Sequence, residues 1–286
     1  MNRALFVLSM VIFATIGIFV SPLSVPSSVI AFFRAFLGTL VLLGVILLSG
    51  RKIDREKIIT NARFLLPSGI ALGFNWVLLF EGYRLTGVAT ATLCYYLAPA
   101  IVILVSPFVL RERSSTIKII CAIVAFLGMI PVSGILDSES QMNPSGIIVS
   151  VFAAILYASI VILNKKIKKL SGIETTVVQL GISACVMALY IFIKEPFSFI
   201  DSIPDDFGKL LLLGVVHTGL AYLLYFSSIK KIKAADAALF SFIDPAGALI
   251  LSYTVLDEKF TAWGLVGIVM IIGASIVGEV FKGHKK

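Results

Sequence analysis

Charged residues are scarce in this 286-residue chain, in which Asp, Glu, Lys and Arg together make up 14% and hydrophobic residues 59%. Soluble domains carry about 25% charged residues, so the composition excludes an ordinary water-soluble protein and places the chain in a lipid bilayer. Long polar stretches are missing as well. Only the stretches 53–61 and 195–206 leave room for a surface turn, and a separate soluble domain is therefore excluded.

Cysteine is also rare, and Cys94, Cys121 and Cys185 all lie in apolar runs. An odd number of isolated thiols at membrane depth forms neither a disulfide framework nor a metal cluster. We interpret them as small apolar fillers and expect no metal site and no cofactor.

Motifs of the main catalytic alternatives are absent too. The chain has no Gly-x-x-x-x-Gly-Lys-Ser/Thr loop, which excludes ATP-driven transport, and no Gly-x-Ser-x-Gly, which an intramembrane serine protease would need. An aspartyl protease needs carboxylates on facing helices, whereas Asp236 and Asp244 share one predicted helix. We therefore expect no catalytic residues and no enzymatic activity.

What the chain does contain is a series of ten apolar runs, each long enough to cross about 30 Å of hydrocarbon. They cover residues 4–20, 27–49, 61–83, 88–110, 115–134, 145–164, 174–193, 207–229, 234–256 and 261–281. The first run is too long for a secretory signal and lacks a small-x-small cleavage pattern, so we count it as a membrane helix. The sequence predicts an all-α integral membrane protein with ten transmembrane helices.

Basic residues predict the orientation, because Lys and Arg near membrane segments are retained in the cytoplasm. With the N-terminus inside, 19 of the 24 Lys and Arg residues occupy inner positions and Arg34 lies within the second helix. Both termini, including the basic tail 282–286, are thus predicted to be cytoplasmic in a multi-pass plasma-membrane protein. This topology explains the net charge of +8, and we expect no nucleic-acid partner.

The chain also repeats itself at an offset of 146 residues, so that Pro99 and Glu112 are matched by Pro245 and Glu258. Five helices per half is an odd number, and the second half is therefore inverted relative to the first. Two inverted five-helix repeats have a pseudo-two-fold axis in the membrane plane and two exchangeable conformations, as alternating access requires.

Pro99 and Pro245 lie near the middle of the fourth and ninth predicted helices, where each removes one backbone hydrogen bond. Paired interruptions at matching positions of two halves point to a substrate site between them. A simple kink in each helix remains the alternative interpretation.

A family resemblance follows from these features taken together. The Ala-rich helix starts at 88–91 and 234–237, the mid-helix prolines, the terminal glutamates and the Gly-rich closing helices resemble the drug/metabolite transporter superfamily, in the group built from two EamA domains. The resemblance implies a first EamA repeat at 1–134, a second at 145–281, and a central cavity lined mainly by helices 1, 3, 4, 6, 8 and 9. It implies transport of a metabolite or drug and leaves the substrate open.

Three ionisable residues lie at membrane depth. Asp244 directly precedes Pro245, and because an intramembrane carboxylate is costly, we interpret it as a proton or cation carrier; the alternative is an Asp that satisfies backbone groups freed by the proline. His217 either shares a proton with Asp244 or is a hydrogen-bonded packing residue. Arg34 either snorkels to the interface or is a fixed cation for a buried acid or a carboxylated substrate.

Aromatic and amide side chains complete the predicted cavity, with packing as the alternative role for each one. Trp76 and Tyr222 are repeat mates at equivalent depth. The residues assigned to substrate binding or coupling are Asp244, His217, Arg34, Asn75, Trp76, Tyr95, Tyr96 and Tyr222, with Tyr157 and Tyr225 as further cavity residues.

Residues near helix ends are assigned mainly to structure. Glu81 and Asp236 lie within a turn of helix ends, where snorkelling or capping is expected, and Glu112 and Glu258 are expected to accept hydrogen bonds from neighbouring helix N-termini. The small-residue pattern Gly69-x-x-x-Gly73 predicts close helix contact within one chain.

The sequence thus predicts a secondary active transporter, an exporter or exchanger of a small metabolite such as an amino acid or amine, working by alternating access. Its expected partners are a small-molecule substrate, protons and the lipid bilayer, and the oligomeric state is left open. A lipid-linked carrier flippase and, from another class, an intramembrane enzyme are the alternatives.

Overall fold

Ten helical segments make up the part of the chain that the computed structural model describes, residues 2–50, 54–110, 115–132, 143–231 and 240–280, and this part contains no strand. The segments are α1 (Asn2–Val20), α2 (Ser27–Leu48), α3 (Arg55–Thr86), α4 (Val88–Val109), α5 (Thr116–Val132), α6 (Pro144–Lys166), α7 (Gly172–Lys194), α8 (Phe197–Ser228), α9 (Ile243–Val255) and α10 (Ala262–Val280). Seven are long and apolar enough to cross a membrane, and α5, α9 and α10 are shorter apolar helices. The predicted all-α membrane fold is confirmed.

Two stretches that the sequence left open to a surface turn are partly helical. The helices α3 and α8 begin at Arg55 and Phe197, inside the stretches 53–61 and 195–206. Asp54 starts α3 by accepting hydrogen bonds from the backbone N–H groups of Glu56 and Lys57, at 3.0 and 3.4 Å. The first turn of α3 carries Arg55, Glu56 and Lys57, so a search for apolar runs does not detect it.

Two helices are interrupted at positions that the sequence repeat matches. The segment α4 consists of Val88–Tyr95 and Ala98–Val109 with a turn between them, and a turn at Phe242 precedes α9. Pro99 and Pro245 each lie in the first turn of the helix that follows the interruption, where a proline needs no backbone donor. The interruptions therefore occupy equivalent places in the two halves.

Helix packing follows the same repeat. The helix α1 packs against α8 and α9, as its repeat mate α6 packs against α3 and α4. Likewise α2 packs against α8, as α7 packs against α3. Repeat mates also contact each other in three pairs, α2 with α7, α4 with α9 and α5 with α10. Exchanging the two halves therefore reproduces these contacts, as expected for halves related by a pseudo-two-fold axis.

Glycines allow two pairs of these helices to approach closely. A Cβ atom at Gly69 of α3 would lie 3.0 Å from the carbonyl oxygen of Gln179 in α7, and one at Gly214 of α8 would lie 2.9 Å from that of Phe33 in α2. Neither position has room for a side chain without a shift of backbone. The expected close contact inside one chain is confirmed for Gly69.

Glu258 joins the loop after α9 to the start of α4. Its two carboxylate oxygens accept hydrogen bonds from the backbone N–H groups of Val88 and Ala89, at 2.6 and 2.8 Å. A carboxylate at this place satisfies backbone donors and the positive end of the helix dipole, as the sequence predicted. Its repeat mate Glu112, and Asp236, lie outside the described residues.

The glycine contacts predict a specific loss of stability. Gly69→Ala should lower the free energy of unfolding by about 1–3 kcal/mol, because the added methyl group overpacks α3 against α7. Gly44→Ala in α2 is the matched control, since a Cβ atom there meets nothing within 4 Å. Thermal denaturation in detergent measures both, and equal midpoints for the two variants would contradict the packing.

Candidate functional site

Arg34 is buried in the centre of the bundle rather than directed to the membrane surface. Only 3% of the surface of Arg34 is exposed, which rules out snorkelling to the membrane interface. The guanidinium carbon lies 4.2 Å from the ring centroid of Trp76 and 5.3 Å from that of Phe80, and Nε donates a hydrogen bond to Thr218 Oγ1 at 3.1 Å. The helices α2, α3 and α8 therefore hold this cation together.

The charge of Arg34 has no counter-ion among the described residues, where no carboxylate lies within salt-bridge distance of it. An arginine at membrane depth costs about 2.5–3.5 kcal/mol on insertion scales. Two cation–π contacts at about 0.5–2 kcal/mol each and one hydrogen bond to a charged group offset much of this cost. The charge itself is not cancelled, and at 4 Å it attracts a carboxylate by about 4 kcal/mol for an effective dielectric constant of 20.

Asp244 lies at the interruption of α9 and contacts the interruption of α4. Tyr96 donates its hydroxyl proton to Asp244 Oδ2 at 2.7 Å. Within the described parts of the chain, no Lys, Arg or His lies within salt-bridge distance of Asp244. The bond therefore joins the two halves of the protein through a carboxylate that has no cationic partner among the described residues.

Tyrosines surround both charged groups. Tyr222 is close enough to Arg34 and to Asp244 to interact electrostatically with each. Its ring lies 5.5 Å from that of Phe13 in α1, and the ring of Tyr95 lies 5.3 Å from that of Tyr157 in α6. Tyr157 is 40% exposed and interacts electrostatically with Asp244.

Asn75 connects Tyr95 to the backbone of α6. Its Nδ2 donates to the carbonyl oxygen of Ala153 at 2.6 Å, and its Oδ1 accepts from the hydroxyl of Tyr95 at 3.3 Å. Asn75 is fully buried, and both ends of the amide are engaged. Its contacts therefore orient Tyr95 between α3 and α6.

His217 is hydrogen-bonded to residues other than Asp244. Its Nδ1 lies 3.3 Å from the carbonyl oxygen of Leu212 and its Nε2 lies 2.8 Å from Thr15 Oγ1. Since a carbonyl only accepts, Nδ1 carries a proton. Thr15 Oγ1 also donates to the carbonyl oxygen of Ile12 at 2.8 Å, so Thr15 links His217 to the backbone of α1. The hydrogen bonds of His217 thus go to α1 and to its own helix, and α1 packs against both α8 and α9. These contacts fit the alternative of a hydrogen-bonded packing residue better than a proton shared with Asp244.

Thr218, Thr15 and Phe80 were missed by the sequence analysis, although they contact Arg34 or His217. Threonine and phenylalanine are common in apolar helices, so nothing in their type marks them as special. For Thr218 a signal does exist, because Gly214 and Gly219 on either side of it are five residues apart, whereas Gly69 and Gly73 of α3 are four residues apart.

The family comparison agrees with this architecture. The model of the EamA-like transporter family matches residues 3–134 and 144–277, which together cover most of the chain. The chain belongs to the EamA-like transporter family. It is thus a multi-pass membrane protein of transporter type, and the resemblance to drug/metabolite transporters is confirmed.

Two relatives illustrate the range of the EamA-like family. An uncharacterized transporter of Bacillus subtilis, YxxF, is 34% identical over 93% of this chain and 85% of its own length. The S-adenosylmethionine uptake transporter of Rickettsia prowazekii is 24% identical over 86% of this chain and 81% of its own. A crystal structure with 16% identity superposes with a TM-score of 0.66 over 96% of this chain and 95% of that one, and shows the same fold.

Replacement of Arg34, which has no carboxylate partner among the described residues, predicts an unusual stability effect. Arg34→Met should leave the melting temperature of the ligand-free protein unchanged or raise it, because an apolar side chain of similar length removes a buried charge. Arg84→Met is the comparison, since Arg84 donates to the carbonyl oxygens of Leu23 and Val25. This second variant should lose about 1–3 kcal/mol.

Both melting temperatures are measured in detergent without added ligand. A large loss for Arg34→Met, equal to or above that for Arg84→Met, would show that Arg34 is a structural cation with a protein partner.

Proposed function

We propose that this EamA-like protein is a secondary active transporter that exports or exchanges a small amino acid or amine by alternating access. It works in the plasma membrane with both termini in the cytoplasm, as the distribution of basic residues predicts. We propose that the chain is divided into the two repeats 1–134 and 145–281, followed by the basic tail 282–286.

The observation that carries the proposal is the hydrogen bond between Tyr96 and Asp244. It joins the interrupted helices α4 and α9 at equivalent positions of the two halves, which is where substrate sites of repeat-built transporters lie. Asp244, which has no cationic partner in the described part of the chain, binds a substrate amine or a proton at this point. Binding there changes the contact between the halves, so occupancy and conformation are coupled.

Relatives support transport but leave the substrate open. One of them takes up S-adenosylmethionine, an amino acid that bears a further positive charge and an aromatic ring system. The tyrosines around Asp244 and the stacked pair of Arg34 and Trp76 suit a molecule of this kind, with a cationic, an anionic and an aromatic part.

A second candidate, the lipid-linked carrier flippase, is favoured by one feature. A groove of about 570 Å³ runs along α9 and α10 and is lined by residues that include Ile250, Tyr253 and Phe260. Its lining is mostly apolar, as an acyl or polyprenyl chain requires. Stabilisation by lipids rather than by amino acids or amines in a thermal-shift panel would favour this candidate.

The transport proposal predicts the effect of removing one charge. Asp244→Asn should preserve folding and reduce substrate accumulation driven by a pH gradient by about tenfold or more, because a charge-assisted contact is lost. Asp257→Asn is the matched control, since Asp257 is exposed in the loop after α9.

Uptake is measured with purified protein in proteoliposomes, with folding checked by size-exclusion chromatography and thermal denaturation. Full transport by Asp244→Asn would overturn the proposed role of this carboxylate. A wild-type protein without stimulated flux for any ligand of the panel would overturn the proposed function.

A further inference from the structure

One stretch of α8 departs from regular α-helix. Residues Val215–Leu220 form a π-helix, a wide turn that contains His217 and Thr218. A π-helix inside an α-helix usually results from one extra residue and is frequent at functional sites, because it redirects side chains without ending the helix. The equivalent stretch of α3 lies within the continuous α-helix Arg55–Thr86.

The extra residue can be located from the glycine contacts. In α3, a Cβ atom at Gly69 would meet Ile182 and Gln179 of α7, and one at Gly73 would meet Ser183 and Met187. In α8, a Cβ atom at Gly214 would meet Leu37 and Phe33 of α2, and one at Gly219 would meet Val41. Phe33 and Val41 are equivalent to Gln179 and Met187 at an offset of 146.

The two glycine pairs thus share two equivalent contacts, Gln179 with Phe33 and Met187 with Val41, but they differ in spacing, four residues in α3 and five in α8. One residue has been added between Gly214 and Gly219, and the π-helix accommodates it while both glycines stay against α2. The insertion breaks the symmetry of the two halves at the point where α8 meets Arg34.

Thr218 is held in one orientation by this turn. Its hydroxyl donates to the carbonyl oxygen of Leu213, five residues earlier, at 3.0 Å, and its methyl group lies so close to α2 that a Cβ atom at Gly38 would be 2.6 Å from it. Because the hydroxyl proton is used, the oxygen is left to accept from Nε of Arg34. Thr218 is fully buried, so no water competes for this bond.

We infer that the extra residue of α8 builds a carboxylate-binding site, in which Thr218 orients the guanidinium of Arg34 for an anionic group of the substrate. The bond to Thr218 uses Nε, and among the described residues the two Nη groups have no carboxylate to bind. The paired N–H groups of a guanidinium match a carboxylate in bidentate geometry. The transported metabolite is then a zwitterion whose carboxylate faces Arg34, rather than a simple amine.

This inference rests on the proposed function, in which Asp244 receives the cationic part of the same molecule. Thr218 is a positioning residue, since it acts through Arg34. Its loss should therefore weaken only ligands that carry a carboxylate, whereas a purely structural role would affect all ligands alike.

The test uses matched pairs of probes that differ by one carboxylate: S-adenosylmethionine and its decarboxylated form, lysine and cadaverine, tryptophan and tryptamine. Apparent dissociation constants come from thermal stabilisation of the purified protein at neutral pH. The wild-type protein should prefer the carboxylated member of a pair by about tenfold or more. Thr218→Val, which keeps the shape and removes the hydroxyl, should lose about tenfold on that member and nothing on the amine.

Thr218→Ser keeps the hydroxyl and should restore the preference, which separates positioning from packing. Equal weakening of both members by Thr218→Val, equal binding of both by the wild-type protein, or stabilisation by no probe would overturn the inference. Counterflow in proteoliposomes distinguishes this from failure of the proposed function. Carboxylate-selective binding without flux would refute transport alone, and flux without carboxylate preference would refute the carboxylate site alone.

Discussion

A charged group held at membrane depth must be compensated by its surroundings, and the burial of Arg34 is the constraint on which the centre of this protein depends. Rings from α3 and a hydroxyl from α8 make the ligand-free guanidinium tolerable. They do so without cancelling its charge, because cation–π contacts and neutral acceptors leave a net positive potential. A site of this kind is stable when empty and attracts an anion.

The second charge is arranged differently. Asp244 lies where α9 is interrupted and contacts Tyr96 where α4 is interrupted, so its environment depends on how the two halves meet. Arg34 instead lies among contacts of α2, α3 and α8, and Gly38, Gly214 and Gly219 allow α2 and α8 to pack closely there. Arg34 thus lies among closely packed helices, whereas Asp244 lies at the junction between the two repeats. A substrate that bound both residues would connect these two regions.

Much of the fold could be predicted from the sequence because hydrocarbon imposes strong rules on length and polarity. The ten segments, the matched positions of Pro99 and Pro245, and the role of Glu258 at a helix start all follow from such rules. The beginning of α3 was not predictable from apolar runs, because the capping residue Asp54 and the first turn after it are charged.

The environment of Arg34 was beyond a single-residue interpretation, because snorkelling and burial fit the same position along a helix. Only the packing of α3 and α8 decides between them. The five-residue spacing of Gly214 and Gly219 is visible in the sequence and is consistent with the π-helix. Its meaning depends on the structure, which shows that the glycines of α3 and α8 pack against equivalent parts of α7 and α2.

An experimental structure of the protein with the most strongly stabilising amino acid bound tests the central claim most directly. The account predicts the ligand carboxylate within hydrogen-bonding distance of the Nη groups of Arg34, with the amino group directed to Asp244. A ligand bound elsewhere, or one bound with its carboxylate away from an unoccupied Arg34, would contradict it.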